Sequence, residues 1–188
     1  MAGEPHRIGI IDVGVLRGNE SYLAVKARKA IQSLVESVDD DFDPPLSTRK
    51  SSIHLDFSDT SGSMEEYIDD LLDNEAILAF VDGRIAGILF YRTDYHVVKL
   101  HKSGLYVVVI LVGKEYRGMK LASKLYTAVE ERARMLDKPI YLRTWAGNKT
   151  QEAILPKRGY QLVKRIENDR GPGRDTVYYE KPAKAPVK

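Results

Sequence analysis

The stretch Leu105 to Tyr126, LYVVVILVGKEYRGMKLASKLY, decides the fold. Leu105 to Val112 is apolar and rich in β-branched side chains, which reads as a strand buried on both faces. A short glycine-containing turn follows, and an amphipathic helix starts at about Lys120. The turn brings Arg117, Gly118 and Lys120 to a helix start, where backbone N–H groups lack an intrahelical partner. Free amides, the positive end of the helix dipole and side-chain cations together form a cradle for phosphate. A phosphorylated ligand is the expectation.

Downstream, the helix runs to Leu136, with Leu121, Leu125, Ala128, Val129 and Leu136 on its inner face, and Asp137-Lys138-Pro139 stops it. Ile140 to Trp145 reads as a strand parallel to the Leu105 strand, because a helix joins the two. A short helix is expected over Asn148 to Lys157, then strands at Tyr160 to Ile166 and Thr176 to Glu180, separated by the turn NDRGPGRD. Upstream, Arg7 to Val15 is a strand, and Asn19 to Val38 carries Leu23, Ala27, Ala30, Ile31, Leu34 and Val38 at helical spacing. The double proline rules out a continuous helix in Asp39 to Thr60. Ser63 with Glu66 is a capping box ahead of Met64, Tyr67, Ile68, Leu71 and Leu72. Ala76 to Val81 and Ile85 to Tyr91 flank Asp82-Gly83, a hairpin signal. The order is β-α-α-β-β-β-α-β-α-β-β, an α/β (α+β) chain read as one domain over 1–180, with 181–188 a Pro/Lys/Ala-rich flexible tail.

Composition narrows the function classes. A net charge of +2 over 188 residues gives no electrostatic footprint for nucleic acid. The absence of cysteine excludes disulfides, thiolate metal sites and a cysteine nucleophile, and fits a reducing, cytoplasmic compartment. The apolar run at Leu105 is far too short to span a membrane. The four histidines show no metal spacing, and His96 and His101 are placed in a loop, so no metal is expected.

These residues resemble the GCN5-related N-acetyltransferase (GNAT) family, whose signature often reads V-x-P-x-Y-R-G-x-G-I-G. Val112, Tyr116, Arg117, Gly118 and Ala122 match it; Glu115 stands where the family has Arg or Gln, and Lys120 where it has the second glycine. A second block resembles N-x-x-A-x-x-L-Y-E-K-x-G-F through Asn148, Lys157, Gly159 and Tyr160, with Leu155 at the tyrosine position. The resemblance spans about Arg7 to Glu180. It implies a mixed, mostly antiparallel sheet of about seven strands with about four helices and a splayed strand pair after the fourth strand. It also implies acetyl-CoA as co-substrate and direct transfer to a primary amine of a small molecule or peptide. The family also includes homodimers.

By the same resemblance, the cofactor would sit on Arg117, Gly118, Met119, Lys120, Leu121 and Ala122. Ile110, Leu111 and Val112 would meet the pantetheine arm, and Asn148 would flank it. The catalytic candidates are Tyr106 as base and Tyr160 as acid. Tyr106 is placed on one face with Val108 and Ile110 by alternation. Tyr126 is a second candidate acid, and His96, His101, Glu75 and Asp94 are bases by residue type alone. Leu155 removes the family's usual proton donor, which keeps open a catalytically weak acyl-CoA-binding module. Arg158, Lys164, Arg165, Arg170 and Arg174 would serve a third reading, acetylation of an aminoacyl-tRNA.

Overall fold

In the computed structural model, which describes residues 5–53 and 59–183, the predicted elements appear in the predicted order. They are β1 (Ile8–Val15), α1 (Tyr22–Val38), α2 (Met64–Leu71), β2 (Glu75–Val81), β3 (Arg84–Val97) and β4 (Lys102–Val112), then α3 (Leu121–Met135), β5 (Ile140–Trp145), α4 (Lys149–Ile154), β6 (Gln161–Ile166) and β7 (Thr176–Lys181). The seven strands form one sheet in the order β1-β2-β3-β4-β5-β7-β6. β4 and β5 are parallel, and every other neighbouring pair is antiparallel.

Local chemistry explains the boundaries. The capping box forms as read: the Ser63 side chain accepts from the Glu66 amide, and the Glu66 carboxylate accepts from the Ser63 amide. Such a cap stabilises a helix start by about 1 kcal/mol. Asp82 and Gly83 both take positive φ, the backbone a two-residue hairpin turn demands. The Asp82 carboxylate also accepts from the Arg7 amide at 2.9 Å, which fastens the start of β1 to this turn. Between α1 and α2, the prolines leave 3-10 turns at Asp39–Asp41 and Leu46–Thr48. Lys181, the first residue of the expected tail, pairs with Ile140 at the end of β7, and residues 184–188 lie outside the described ones.

The sheet buries both faces. Ala27, Ile31, Leu34 and Val35 of α1, with Tyr67 and Leu71 of α2, pack on Ala76, Leu78, Ile88 and Phe90. Leu125, Val129 and Ala133 of α3 pack on Ile77, Leu89, Leu105, Val107 and Leu142 from the other side. Each fully buried Leu, Ile or Val contributes roughly 1.5–3 kcal/mol. These two layers hold β4 at the centre of the molecule.

β4 departs from simple alternation. Phe90 pairs with Val109 and Tyr91 with Val107, so Val108 is an extra residue, a β-bulge. Leu105 and Val107 face α3, but beyond the bulge Val109 and Leu111 face α1, and Ile110 and Val112 turn to the α3 side. The expected common face of Tyr106 and Ile110 is therefore corrected: the bulge reverses the phase between them. The histidine reading is corrected as well. His96 lies on β3, which extends well past Tyr91, and only His101 sits in the turn before β4, with φ +52°.

The interior is unusually phenolic. Burial pushes the Tyr67, Tyr106 and Tyr141 hydroxyls up to about 12, from the ordinary value near 10. A raised folded-state value favours the neutral phenol in the fold. The stability it contributes is complete below about pH 10 and is lost as pH rises through about 12. In an alkaline titration followed at 295 nm and by far-ultraviolet circular dichroism, these phenols should ionise late, in one step with unfolding. Smooth ionisation of all eleven tyrosines near pH 10 with secondary structure intact would contradict this.

Candidate functional site

β4 and β5 pair over only three residues, Leu105 to Val107 against Ile140 to Leu142. Beyond them the strands separate, and the gap opens into a cavity of about 570 Å³. Val107 to Val112 line one wall and Leu142 to Trp145 the other. The turn and first residues of α3 line one part of the cavity, and Asp41, Phe42, Arg49, Ser52 and Arg170 enter it from loops. Backbone groups of β4 that would have met β5 are thereby left to a ligand or solvent.

The turn between β4 and α3 has the backbone its sequence suggests. A 3-10 turn, Lys114–Tyr116, leads to Gly118 at φ +85° and to Lys120 in the left-handed region at φ +59°. Lys120 is the residue before α3, and no side chain caps that helix. The Lys124 amide returns to the Lys120 carbonyl at 3.1 Å, so the amides of Leu121, Ala122 and Ser123 precede the intrahelical ladder. A side chain at Gly118 would enter open space rather than protein, as expected of a turn that faces a ligand volume. The Arg117 guanidinium is ion-paired with Asp41, tying the turn to the loop after α1.

Of the residues expected at the cofactor, Ile110, Leu111, Val112, Arg117, Gly118, Lys120, Leu121, Ala122 and Asn148 line this cavity. Met119 instead packs toward Val81, Ala86 and Leu121. Asn148 has structural partners of its own: Oδ1 accepts from the Gln151 amide at 3.3 Å and Nδ2 donates to Thr144 Oγ1 at 2.9 Å.

The catalytic candidates land differently. Tyr106 is 2% exposed and lies against Tyr95, ring centroids 4.8 Å apart, on the face away from α3. Burial pushes its hydroxyl up, the wrong direction for a base near neutral pH. The Tyr160 hydroxyl is buried near Glu130, and its ring packs edge-on against Tyr126 at 6.0 Å, with Lys181 over its face. Neither Tyr106 nor Tyr160 lines the cavity, whereas Tyr126 does. Its hydroxyl donates to Gln151 Oε1 at 2.8 Å, and burial pushes it up so that it keeps its proton. Glu75 accepts from Thr93, Asp94 pairs with Lys138 and His96 meets Ser103 at 3.0 Å; none of them lines the cavity. Leu155 is fully buried among Leu125, Val129 and Tyr160.

Two cavity arginines, Arg49 and Arg143, escaped the sequence reading, and Arg170 was read only as part of a basic cluster. They are far apart in the chain, on a loop, a strand and another loop, and no spacing links them. The other basic residues noted near Arg170 are engaged within the chain. Arg158 makes a two-pronged pair with Glu130 at 2.8 and 2.9 Å, Arg165 pairs with Asp175, and Arg174 pairs with Asp43. Among the described residues no cluster of three His, Cys, Asp or Glu is arranged to hold a metal, and no helix is long and apolar enough to cross a membrane.

The profile of the acetyltransferase (GNAT) family matches residues 33–160. No curated protein matches the chain. Among solved structures, the fold is similar to that of an N-acetyltransferase from Staphylococcus aureus Mu50, 12% identical, covering 95% of this chain and 99% of that one with a TM-score of 0.63. It is also similar to the ribosomal-protein-S18-alanine N-acetyltransferase from Escherichia coli, 14% identical, 60% and 71% covered, TM-score 0.50. The NatC complex bound to Gag peptide and CoA contains a third similar chain, 16% identical, 92% and 98% covered, TM-score 0.61. At these identities the likeness is one of fold.

The turn carries a direct stability test. A side-chain-bearing residue held in the left-handed region costs roughly 1–2 kcal/mol. Lys120→Gly should hold or raise the melting temperature by a few degrees, whereas Gly118→Ala should lower it by a similar amount. Differential scanning calorimetry of both variants checks this. A melting temperature lowered by Lys120→Gly and unchanged by Gly118→Ala would show that the turn has another backbone.

Proposed function

This chain belongs to the acetyltransferase (GNAT) family, and from that premise we propose that it transfers acetyl from acetyl-CoA directly to a primary amine of a small molecule or peptide within a ternary complex. Acetyl-CoA dependence belongs to the family; the amine acceptor and the residue roles are our reading. One observation carries it: the uncapped start of α3 and the separated β4–β5 edges open into the same cavity. That arrangement offers an anion site and a run of unpaired backbone beside it.

In this reading the amides of Leu121 and Ala122, with Gly118 beneath them, receive the pyrophosphate, and the Lys120 ammonium adds charge. Arg117 joins them on leaving Asp41. An exposed ion pair of that type is worth about 0–1 kcal/mol, so its exchange is cheap. The backbone of β4 from Val108 to Val112 receives the pantetheine arm, and one amide there polarises the carbonyl. When bound, acetyl-CoA supplies an acetyl carbon activated as a thioester. Met119 is left out of the cofactor set because it packs inward.

The proton chemistry follows from which groups reach the cavity. Tyr126 replaces Tyr160 as the proton donor in our reading, since it lines the cavity and burial holds its hydroxyl protonated. It stands in for the family tyrosine that Leu155 displaces. No cavity group assumes the base role assigned to Tyr106; Asp41 is the carboxylate among the described lining residues, and it is engaged by Arg117. An alkylamine with an ordinary pKa of about 10.4 must therefore arrive neutral, which ties the rate to the free-amine fraction. A cytoplasmic setting is part of the same reading, supported by the cysteine-free composition.

Calorimetric titration of acetyl-CoA should show micromolar binding to the wild type and at least about tenfold weaker binding to Gly118→Glu, which adds a like charge to the cradle. With an amine panel, thiol release should rise with pH toward the amine's own pKa. Tyr126→Phe should lower kcat by about 10²-fold or more while leaving acetyl-CoA affinity unchanged. Tight binding without turnover on any amine would identify a binding module instead.

A further inference from the structure

Four residues form a hydrogen-bonded row along the cavity lining. Tyr126 of α3 donates its hydroxyl to Gln151 Oε1 at 2.8 Å, the Gln151 amide donates to Asn148 Oδ1 at 3.3 Å, and Asn148 Nδ2 donates to Thr144 Oγ1 at 2.9 Å. All four line the cavity. The row runs from α3 through α4 to β5, and each member is fixed by its neighbours. Gln151 is held at both ends of its backbone, since its carbonyl also accepts from the Leu155 amide at 2.9 Å. Tyr126 is 1% exposed, with its ring edge-on to Tyr160 and the Arg158 guanidinium 5.7 Å from its centroid. Its hydroxyl therefore has a fixed place, and the one bond it makes among the described residues is to Gln151.

A phenol in that place is a weak acid. An ordinary phenol, near 10, passes its proton to a thiolate whose thiol is near 8.5 against an unfavourable equilibrium of about thirtyfold. Burial pushes Tyr126 further up and widens the gap. The charges acting on it offer little help: Arg158 and Glu130 pull in opposite directions and are paired with each other at 2.8 Å. The bond with Gln151 works against the burial shift. A carboxamide has one accepting arm and one donating arm. With Oε1 on the phenol it holds the proton; with Nε2 there it stabilises the phenolate and leaves the proton to another acceptor. The terminal torsion of a glutamine is broad and two-fold, so the arms can exchange places without moving α4. Nε2 makes no bond among the described residues that would oppose the turn.

We infer that Gln151 is the positioning residue of the proton donor: its carboxamide accepts from Tyr126 in the free enzyme, then turns over and donates Nε2–H to the phenol oxygen as the thioester C–S bond breaks. The electron pair of that bond leaves on sulfur, the Tyr126 O–H bond breaks, an S–H bond forms, and Gln151 holds the phenolate. The phenolate recovers a proton from the nitrogen that has formed the new C–N bond, which restores the bond to Oε1. The inference rests on reading Tyr126 as the donor.

Gln151→Leu removes both arms, whereas Gln151→Glu keeps an accepting oxygen but, once ionised, has no donor. Both should lower kcat by about tenfold or more and leave the KM for acetyl-CoA unchanged. A purely structural hold on the phenol would survive in Gln151→Glu, so wild-type kcat in that variant would overturn the inference. Tyr126→Phe combined with Gln151→Leu should be no slower than Tyr126→Phe alone, because the two residues act as a unit; multiplied losses would overturn it. A second measurement needs no turnover. A fluorinated tyrosine of lowered pKa, placed at position 126 of the full chain, ionises in an accessible range and is followed by its absorbance. Gln151→Leu should move that ionisation to about tenfold lower proton concentration. An unchanged titration with Tyr126→Phe impaired would overturn the inference alone. Wild-type kcat in Tyr126→Phe, or no turnover of any amine, would overturn it together with the donor reading.

Discussion

The separation of β4 from β5 after three residue pairs is the constraint on which the rest of the molecule depends. A sheet interior normally satisfies its own backbone groups, and a gap at the centre leaves donors and acceptors unmatched. The fold tolerates the gap because both strands are anchored elsewhere. β4 keeps its antiparallel partnership with β3 to the end of the strand, and β5 keeps β7 along its whole length. The bulge at Val108 sits where β4 begins to part from β5 and bends the strand there. Strand separation, helix start and cavity thus lie together at one place between two continuous half-sheets.

The elements of the fold were legible from sequence because their signals are local. The capping box at Ser63, the Asp82-Gly83 turn and the helical spacing from Leu121 each act over a few residues, and each forms as read. The bulge was not legible. Every residue from Val107 to Val112 is aliphatic, so a one-residue phase shift moves no polar side chain to a wrong face and leaves no trace in the pattern. That is why Tyr106 was placed beside Ile110 and toward the chemistry, when it belongs to a separate aromatic cluster with Tyr141 and Tyr178. The strand length of β3 was also hidden, since Arg92 to His96 is polar and reads as loop, yet it pairs with Tyr106 to Ser103.

The site was legible in proportion to its continuity in the chain. The turn from Arg117 to Ala122 is one segment and lines the cavity nearly as a block, with Met119 the exception because it packs toward Val81, Ala86 and Leu121. The cavity arginines Arg49, Arg143 and Arg170 come from three segments that only the folded sheet brings together. Arg143 gives the weakest sequence signal of the three, the one charged residue of its strand. A cation at that position is costly unless the strand borders a polar volume, and the β4–β5 gap supplies that volume.

The departures from the family pattern fall into two kinds. Lys120 changes a side chain while keeping the backbone, since it adopts the left-handed geometry that a glycine would take. The amides at the start of α3 remain presented. Leu155 is a replacement of function by packing. A phenol at that position would have to place its hydroxyl among Leu125, Val129 and Tyr160, and the leucine fills the space with no polar atom to satisfy. Tyr126 reaches the cavity from the neighbouring helix, its position fixed by Gln151 on α4 and by the Arg158–Glu130 pair that ties the following turn to α3. In the proposed reading Tyr126 on α3 takes the proton-donor role, and its bond to Gln151 makes that role depend on α3 and α4 staying docked.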